Sequence, residues 1–237
     1  MTKHICINFA GQPKNIYNLL ETYNNYIYNP DYIYHILYTT WVNEDITKFC
    51  EIFPNAYSKQ IERPDISGHP YYDEYLYICN SYIYDRTNIA SNKLFFNYFL
   101  GQFIRDQSRY TITEYEKIHN IQFDIIITTR PDIKIERANI SMYFNQILEN
   151  KKRALYIANS PVIDIYNCGS YPDALIMGQR EHMLYLLDYV YIIRFCAIYE
   201  DPVNKNIIHP ETTSYKIAKH KNIPLIELPF FAFIFHN

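Results

Sequence analysis

FDIIITT, Phe123 to Thr129, followed at once by Arg130-Pro131-Asp132, decides the fold. Apart from Asp124 the seven residues are β-branched or apolar, with almost no alternation, which predicts a strand covered on both faces and lying mid-sheet. Such a strand needs helices on each side of its sheet, so the neighbouring sequence must supply alternating strands and helices. It does. His4 to Ala10 predicts a buried strand broken by Gly11-Gln12-Pro13, and Ile16, Leu19, Leu20, Tyr23 and Ile27 then share one helical face. Tyr32 to Tyr38 predicts a second strand, with a short helix in Asn43 to Cys50, giving a parallel β-α-β start.

Farther out the pattern continues with one interruption. Phe53 to Tyr75 contains Pro54, Pro64, Gly68 and Pro70 with little periodicity and is expected to be an irregular excursion over the sheet edge. From Asn92 the fourfold recurrence of Phe95, Phe99 and Phe103, and of Phe96, Leu100 and Ile104, predicts a deeply packed helix. Thr113-Glu114-Tyr115-Glu116 has the form of a capping box, so a second, short helix is expected to begin there. Ala154 to Ala158 and Ala174 to Met177 are short strand candidates, Glu181 to Ile198 and Glu211 to His220 are helical, and Pro224 to Leu228 closes the sheet. The expectation is one α/β domain over residues 1–237, a mostly parallel sheet flanked by helices.

Composition narrows the function. Of 237 residues, 49% are hydrophobic and 20% charged, enough to bury a full core. A formal charge of -3 offers no basic surface for a polyanion, which argues against a nucleic-acid partner. Five cysteines, Cys6, Cys50, Cys79, Cys168 and Cys196, show no Cys-x-x-Cys spacing, which speaks against a disulfide framework or a zinc knuckle and for a reducing compartment. Met1-Thr2-Lys3-His4 runs into a strand with no charged-then-apolar leader, and the apolar tail Leu225 to Phe235 is interrupted by Glu227 and Pro229. A cytoplasmic protein with no transmembrane segment is the expectation. The 26 tyrosines accompany many Ile, Asn and Lys and fit an AT-rich coding bias, so no chemistry is assigned to them.

In a doubly wound sheet a ligand lies beyond the carboxyl ends of the strands, and three places there carry suitable residues. Gly11-Gln12 follows the first strand; the glycine admits a nucleotide to the backbone and the amide suits a base or ribose, although a plain turn explains the glycine equally. No G-x-G-x-x-G or Walker-type loop is present. Arg130 and Asp132 follow the central strand, where an arginine can neutralise a leaving phosphate and an aspartate can hold a divalent cation; an internal ion pair is the competing reading. Asp173 precedes the segment Ala174 to Gly178 and is either a general base or a turn residue. His209-Pro210-Glu211 opens a helix, where Pro210 at N1 and Glu211 in the first turn need only capping and dipole physics, a functional use of His209 or Glu211 being the competing reading.

Taken in order, the first strand ending in Gly11-Gln12, Thr40-Trp41 after the second, FDIIITTRPDI, DALIMG (Asp173 to Gly178) and HPETTSYKIAKHKNI (His209 to Ile223) resemble GT-A-type glycosyltransferases of surface-polysaccharide loci and large DNA viruses. The resemblance spans Ile5 to about Glu227 and lies in order and spacing more than in any single motif. It implies transfer of a hexose or deoxyhexose from a nucleoside diphosphate sugar, a UDP-sugar being favoured, to a glycan hydroxyl. It further implies that Gly11, Gln12, Arg130 and Asp132 hold the donor, that Asp173 is the base, and that the helix opened by His209-Pro210-Glu211 closes the site from the C-terminal side, with Glu211 a second catalytic candidate. Such enzymes usually bind Mn or Mg through an Asp-x-Asp; here Arg130 takes the first acidic position and Asp132 the last, making Asp132 the metal candidate. The competing readings are a sugar-nucleotide pyrophosphorylase, for which Gly11-Gln12-Pro13-Lys14 is poor in glycine, and a non-catalytic glycan-binding or scaffold protein that keeps the fold.

Overall fold

Strand β1 (Lys3–Ala10) shows why the sheet must be covered twice: Ile5, Ile7 and Phe9 pack into one apolar core and Cys6 into another on the opposite face. β4 (Ile125–Thr129) repeats the arrangement, with Ile125 and Ile127 on the first face and Ile126 on the second. This computed structural model describes residues 2–14, 16–64, 89–136, 139–149, 154–159, 175–188, 218 and 222–234. The remaining strands are β2 (Tyr32–Trp41), β3 (Tyr57–Ile61), β5 (Ile133–Glu136), β6 (Leu155–Asn159), β7 (Leu175–Gln179) and β8 (Leu225–Ile234). All eight form one sheet in the order β3-β2-β1-β4-β7-β6-β8-β5.

The parallel half is β3, β2, β1 and β4, which brings their carboxyl ends to one edge. Beyond β4 the direction changes. β7 runs antiparallel to both β4 and β6, β6 and β8 are parallel, and β5 closes the far edge antiparallel to β8. Because β7 is reversed, its first residue Leu175 pairs with Thr129, the last residue of β4. The chain therefore enters β7 at the same edge where β1, β2 and β4 end.

Helix α1 (Leu19–Tyr26), preceded by a 3-10 turn at Ile16–Asn18, and α2 (Thr47–Ile52) cover the first face together with α4 (Phe144–Glu149). The second face carries α3 (Ile89–His119) and α5 (Arg180–Leu186). None of the helices is long and apolar enough to cross a membrane among the described residues.

Three local expectations need correction and one strand was not expected, each for a physical reason. Thr113 begins no new helix: its hydroxyl turns back to donate to the carbonyls of Arg109 (3.2 Å) and Tyr110 (3.2 Å), so α3 runs through it without a break. The helix ends instead at Asn120, with φ 49° and the Ile121 amide donating to Glu116 O at 3.1 Å. The excursion expected from Phe53 contains the edge strand β3, whose Lys59 suits an edge that must not pair with another chain. Ile133-Lys134-Ile135-Glu136, directly after Asp132, alternates as a strand should and forms β5. Finally, β8 continues past Leu228 because Pro229 falls where the pairing with β6 slips from Leu228 to Phe231, a bulge that needs no ladder bond from proline. Cys6 and Cys50 are free thiols.

Between the parallel half and α3 runs a buried polar seam. Asn8 Nδ2 donates to Ser108 Oγ (2.9 Å) and Thr128 Oγ1 (3.3 Å), and Thr39 Oγ1 meets Thr111 Oγ1 at 2.9 Å. These bonds tie α3 to β1 and β2 and join β1 to β4, fixing their register with a specificity that apolar packing alone does not supply.

At the opposite edge of the sheet, His4 Nδ1 and His35 Nε2 lie 2.9 Å apart and His35 Nδ1 is 3.0 Å from the Tyr115 hydroxyl. Burial first, then the neighbouring His4 and His119, lower the His35 pKa from 6.5 to about 4. The folded chain thus binds fewer protons than the unfolded chain in this range. The contribution is fully present above pH 6.5 and is lost as pH falls toward 4. Melting temperature should therefore fall over that window, and His35→Gln should flatten the fall; an unchanged slope in the variant would contradict the assignment.

Candidate functional site

Gly11, the first residue after β1, has φ 122°, a conformation open to glycine and strained for any L side chain. Its amide donates to Thr39 O at 3.1 Å and its carbonyl accepts from the buried Tyr38 hydroxyl at 3.0 Å, so both backbone groups are pinned by β2. A Cβ built there would meet nothing within 4 Å, which leaves open space beside the backbone. Gly11→Ala should accordingly cost about 1–2 kcal/mol through backbone strain and not through collision. Urea unfolding checks this; a variant as stable as the parent would show that the strain is absent.

Gln12 lies in the turn that follows. Its Nε2 donates to Glu44 Oε1 at 2.7 Å, and the same carboxylate oxygen accepts from Arg63 at 3.1 Å. Glu44 itself is held by backbone: its amide donates to Trp41 O at 3.2 Å, its carbonyl accepts from Gln60 Nε2 at 2.8 Å, and Asn43 before it has φ 73°. Arg63 also lies over the Trp41 ring, 5.7 Å from its centroid, and Trp41 stacks on Phe103 of α3. Sequence reasoning gave no role to Glu44 or Arg63. Thirty-two positions separate Gln12 from Glu44, and only the parallel pairing of β1 with β2 brings them together.

On the other flank of β1, Thr129 pairs with Phe9, so Arg130 leaves β4 next to the exit of Gly11. Arg130 Nε donates to Asp132 Oδ1 (2.9 Å) and Nη2 to Oδ2 (2.7 Å), a forked pair that fixes the guanidinium plane. The two partners differ in exposure: the Asp132 side chain is 8% exposed and that of Arg130 39%. The carboxylate is buried under its arginine, and the cation reaches solvent at the edge. Tyr38 connects the flanks; its hydroxyl is pushed well above the ordinary tyrosine range chiefly by burial, with the Glu44 and Asp132 carboxylates adding to the effect.

The structure thus brings together Gly11, Gln12, Arg130 and Asp132 on adjacent strand ends. Asp173, Glu211 and His209 lie outside the described residues. As a divalent-cation site the set is a poor fit. Asp132 supplies one carboxylate with both oxygens already on Arg130, and among the described residues no group of three or more His, Cys, Asp or Glu could hold a metal ion. As an anion site it fits better, because an oriented guanidinium at the end of a buried strand is what a diphosphate requires.

No family model and no curated protein matches the sequence. In three dimensions the chain is similar to the apo form of mouse xyloside xylosyltransferase 1, over 96% of this chain and 85% of that one, with a TM-score of 0.52 and 8% identity. At that identity the likeness concerns the fold: this chain has a mixed α/β architecture also used by a glycosyltransferase.

Proposed function

We propose that the chain is a GT-A-type glycosyltransferase that moves a hexose or deoxyhexose from a nucleoside diphosphate sugar to a glycan hydroxyl. The observation that carries this reading is the forked Arg130 pair at the end of β4, beside the open backbone at Gly11. The likeness in fold to a solved xylosyltransferase supports it.

In the reaction the bond between the anomeric carbon and the diphosphate oxygen breaks, and its electron pair leaves with the diphosphate. Arg130 neutralises that departing charge, and Asp132 holds the guanidinium in place so that little reorganisation accompanies the step. The acceptor hydroxyl forms the new bond to carbon and gives its proton to a carboxylate, the role we assign to Asp173. Glu211 is proposed as a second catalytic carboxylate.

Thermal unfolding with a panel of nucleoside diphosphates and their sugars, in manganese and in chelator, tests the reading, since a ligand that binds the native state raises Tm. Stabilisation by a diphosphate that persists in chelator is expected if Arg130 serves in place of a metal. Stabilisation only with manganese would move Asp132 to a metal-binding role, and no stabilisation by any of the panel would count against the donor site.

A further inference from the structure

We infer that His4 and His35 form a binding site for a late first-row divalent cation of the nickel or copper class, which clamps β1 to β2 at the sheet edge remote from Arg130. The inference is independent of the donor site proposed above. The parallel pairing of β1 with β2 sets Cys6 opposite His35, and His4, two residues before Cys6, lies on the same face of the sheet. His4 Nδ1 and His35 Nε2 are 2.9 Å apart, with the rings inclined at 27°. Two nitrogens bound at ~2.0–2.1 Å and at right angles are roughly 2.9 Å apart, whereas a tetrahedral pair is about 3.3 Å apart. The spacing therefore matches neighbouring corners of a square-planar or octahedral sphere, the geometry that Cu(II) and Ni(II) take with nitrogen ligands.

A ligating nitrogen must offer a bare lone pair. His35 Nδ1 lies 3.0 Å from the Tyr115 hydroxyl, so an Nδ1–H donated to that oxygen leaves Nε2 bare, the supporting contact that holds a metal-bound imidazole in its tautomer. Without a cation, an Nδ1–H of His4 fills the gap by donating to His35 Nε2. The cation takes the place of that proton, which moves to His4 Nε2, so both rings stay neutral and no proton is released. Among the described residues no group of three or more protein ligands is present, so two imidazoles hold the cation and water completes its sphere. The neighbouring charge of Lys3 is met by Asp124 at 2.8 Å.

Isothermal titration of the untagged full chain with NiCl2, and its Tm in NiCl2 against MgCl2, test this. Ni(II) is the probe because Cu(II) is reduced by free thiols such as Cys6 and Cys50. One Ni(II) per chain should bind and raise Tm, while Mg(II), which takes oxygen ligands, should do neither. Tyr115→Phe should weaken binding about tenfold, the scale of a lost supporting contact, and His4→Gln and His35→Gln should each weaken it further. If neither histidine variant folds, paramagnetic broadening of the His4 and His35 ring protons by Ni(II) in the wild-type chain reads the same site. No binding by the wild type, binding unchanged in His4→Gln or in His35→Gln, or broadening that begins at other histidines would overturn the inference, and none of these outcomes touches the donor site.

Discussion

Arg130→Ala is expected to lower kcat/KM for the donor by about 100-fold or more, the usual loss when one oriented donor to developing negative charge is removed. Arg130→Lys should recover only part of it, because an ammonium keeps the charge and gives up the fork that meets both oxygens of Asp132. Asp132→Asn separates positioning from charge. It keeps the cation but replaces one accepting oxygen with a donor that faces the guanidinium, and should reduce kcat more than it changes overall fold stability. Each variant is to be assayed well below its own melting temperature, since Arg130→Ala leaves a buried carboxylate without its partner. A variant lacking Arg130 with undiminished turnover would remove the leaving-group role from this residue.

The second expectation concerns stability. Glu116, buried near the end of α3, accepts from Arg180 through both oxygens at 2.8 Å and from the Phe123 amide at 2.9 Å. One carboxylate therefore joins α3, α5 and the segment leading into β4. Glu116→Ala strands the Arg180 charge and a buried backbone N–H together, and should cost about 3 kcal/mol, the lower end for breaking a buried pair because Arg180 keeps some contact with water. Urea unfolding should show it as a lower midpoint with an unchanged slope. A shift below a few tenths of a kcal/mol would mean that the pair contributes only what a surface pair does.

Much of the fold was legible because its central strands are apolar on both faces. Ile125, Ile126 and Ile127 admit no exposed face, and their position between β1 and β7 follows from that. The direction of β7 was not legible: Leu175-Ile176-Met177 is apolar in either sense, and only its pairing with β4 shows that it runs backward. Thr113 misled because a capping box and a mid-helix threonine bonded to the preceding turn have the same letters. Pro229 misled because proline usually ends a strand, and the bulge that accommodates it depends on β6.

At the site, Gly11, Gln12, Arg130 and Asp132 were named as candidates because they follow predicted strands, and the structure brings them to adjacent strand ends. The competing reading of Arg130 and Asp132 as an internal ion pair is met, and the pair lies at the edge where the strands end. Glu44 was missed because nothing near it forms a motif. The available signal was its place immediately after β2, in the crevice of the same sheet edge, in a turn with Asn43 at φ 73°.

Release of nucleoside diphosphate from a panel of nucleotide sugars, with a mixture of mono- and oligosaccharide acceptors, tests the transferase reading most directly. Saturable release from one donor class, stimulated by an acceptor and reduced about 100-fold or more in Arg130→Ala, is the result expected. No release above blank from any donor, by a chain that is folded by its cooperative thermal transition, would contradict catalysis and leave a glycan-binding protein on the same fold.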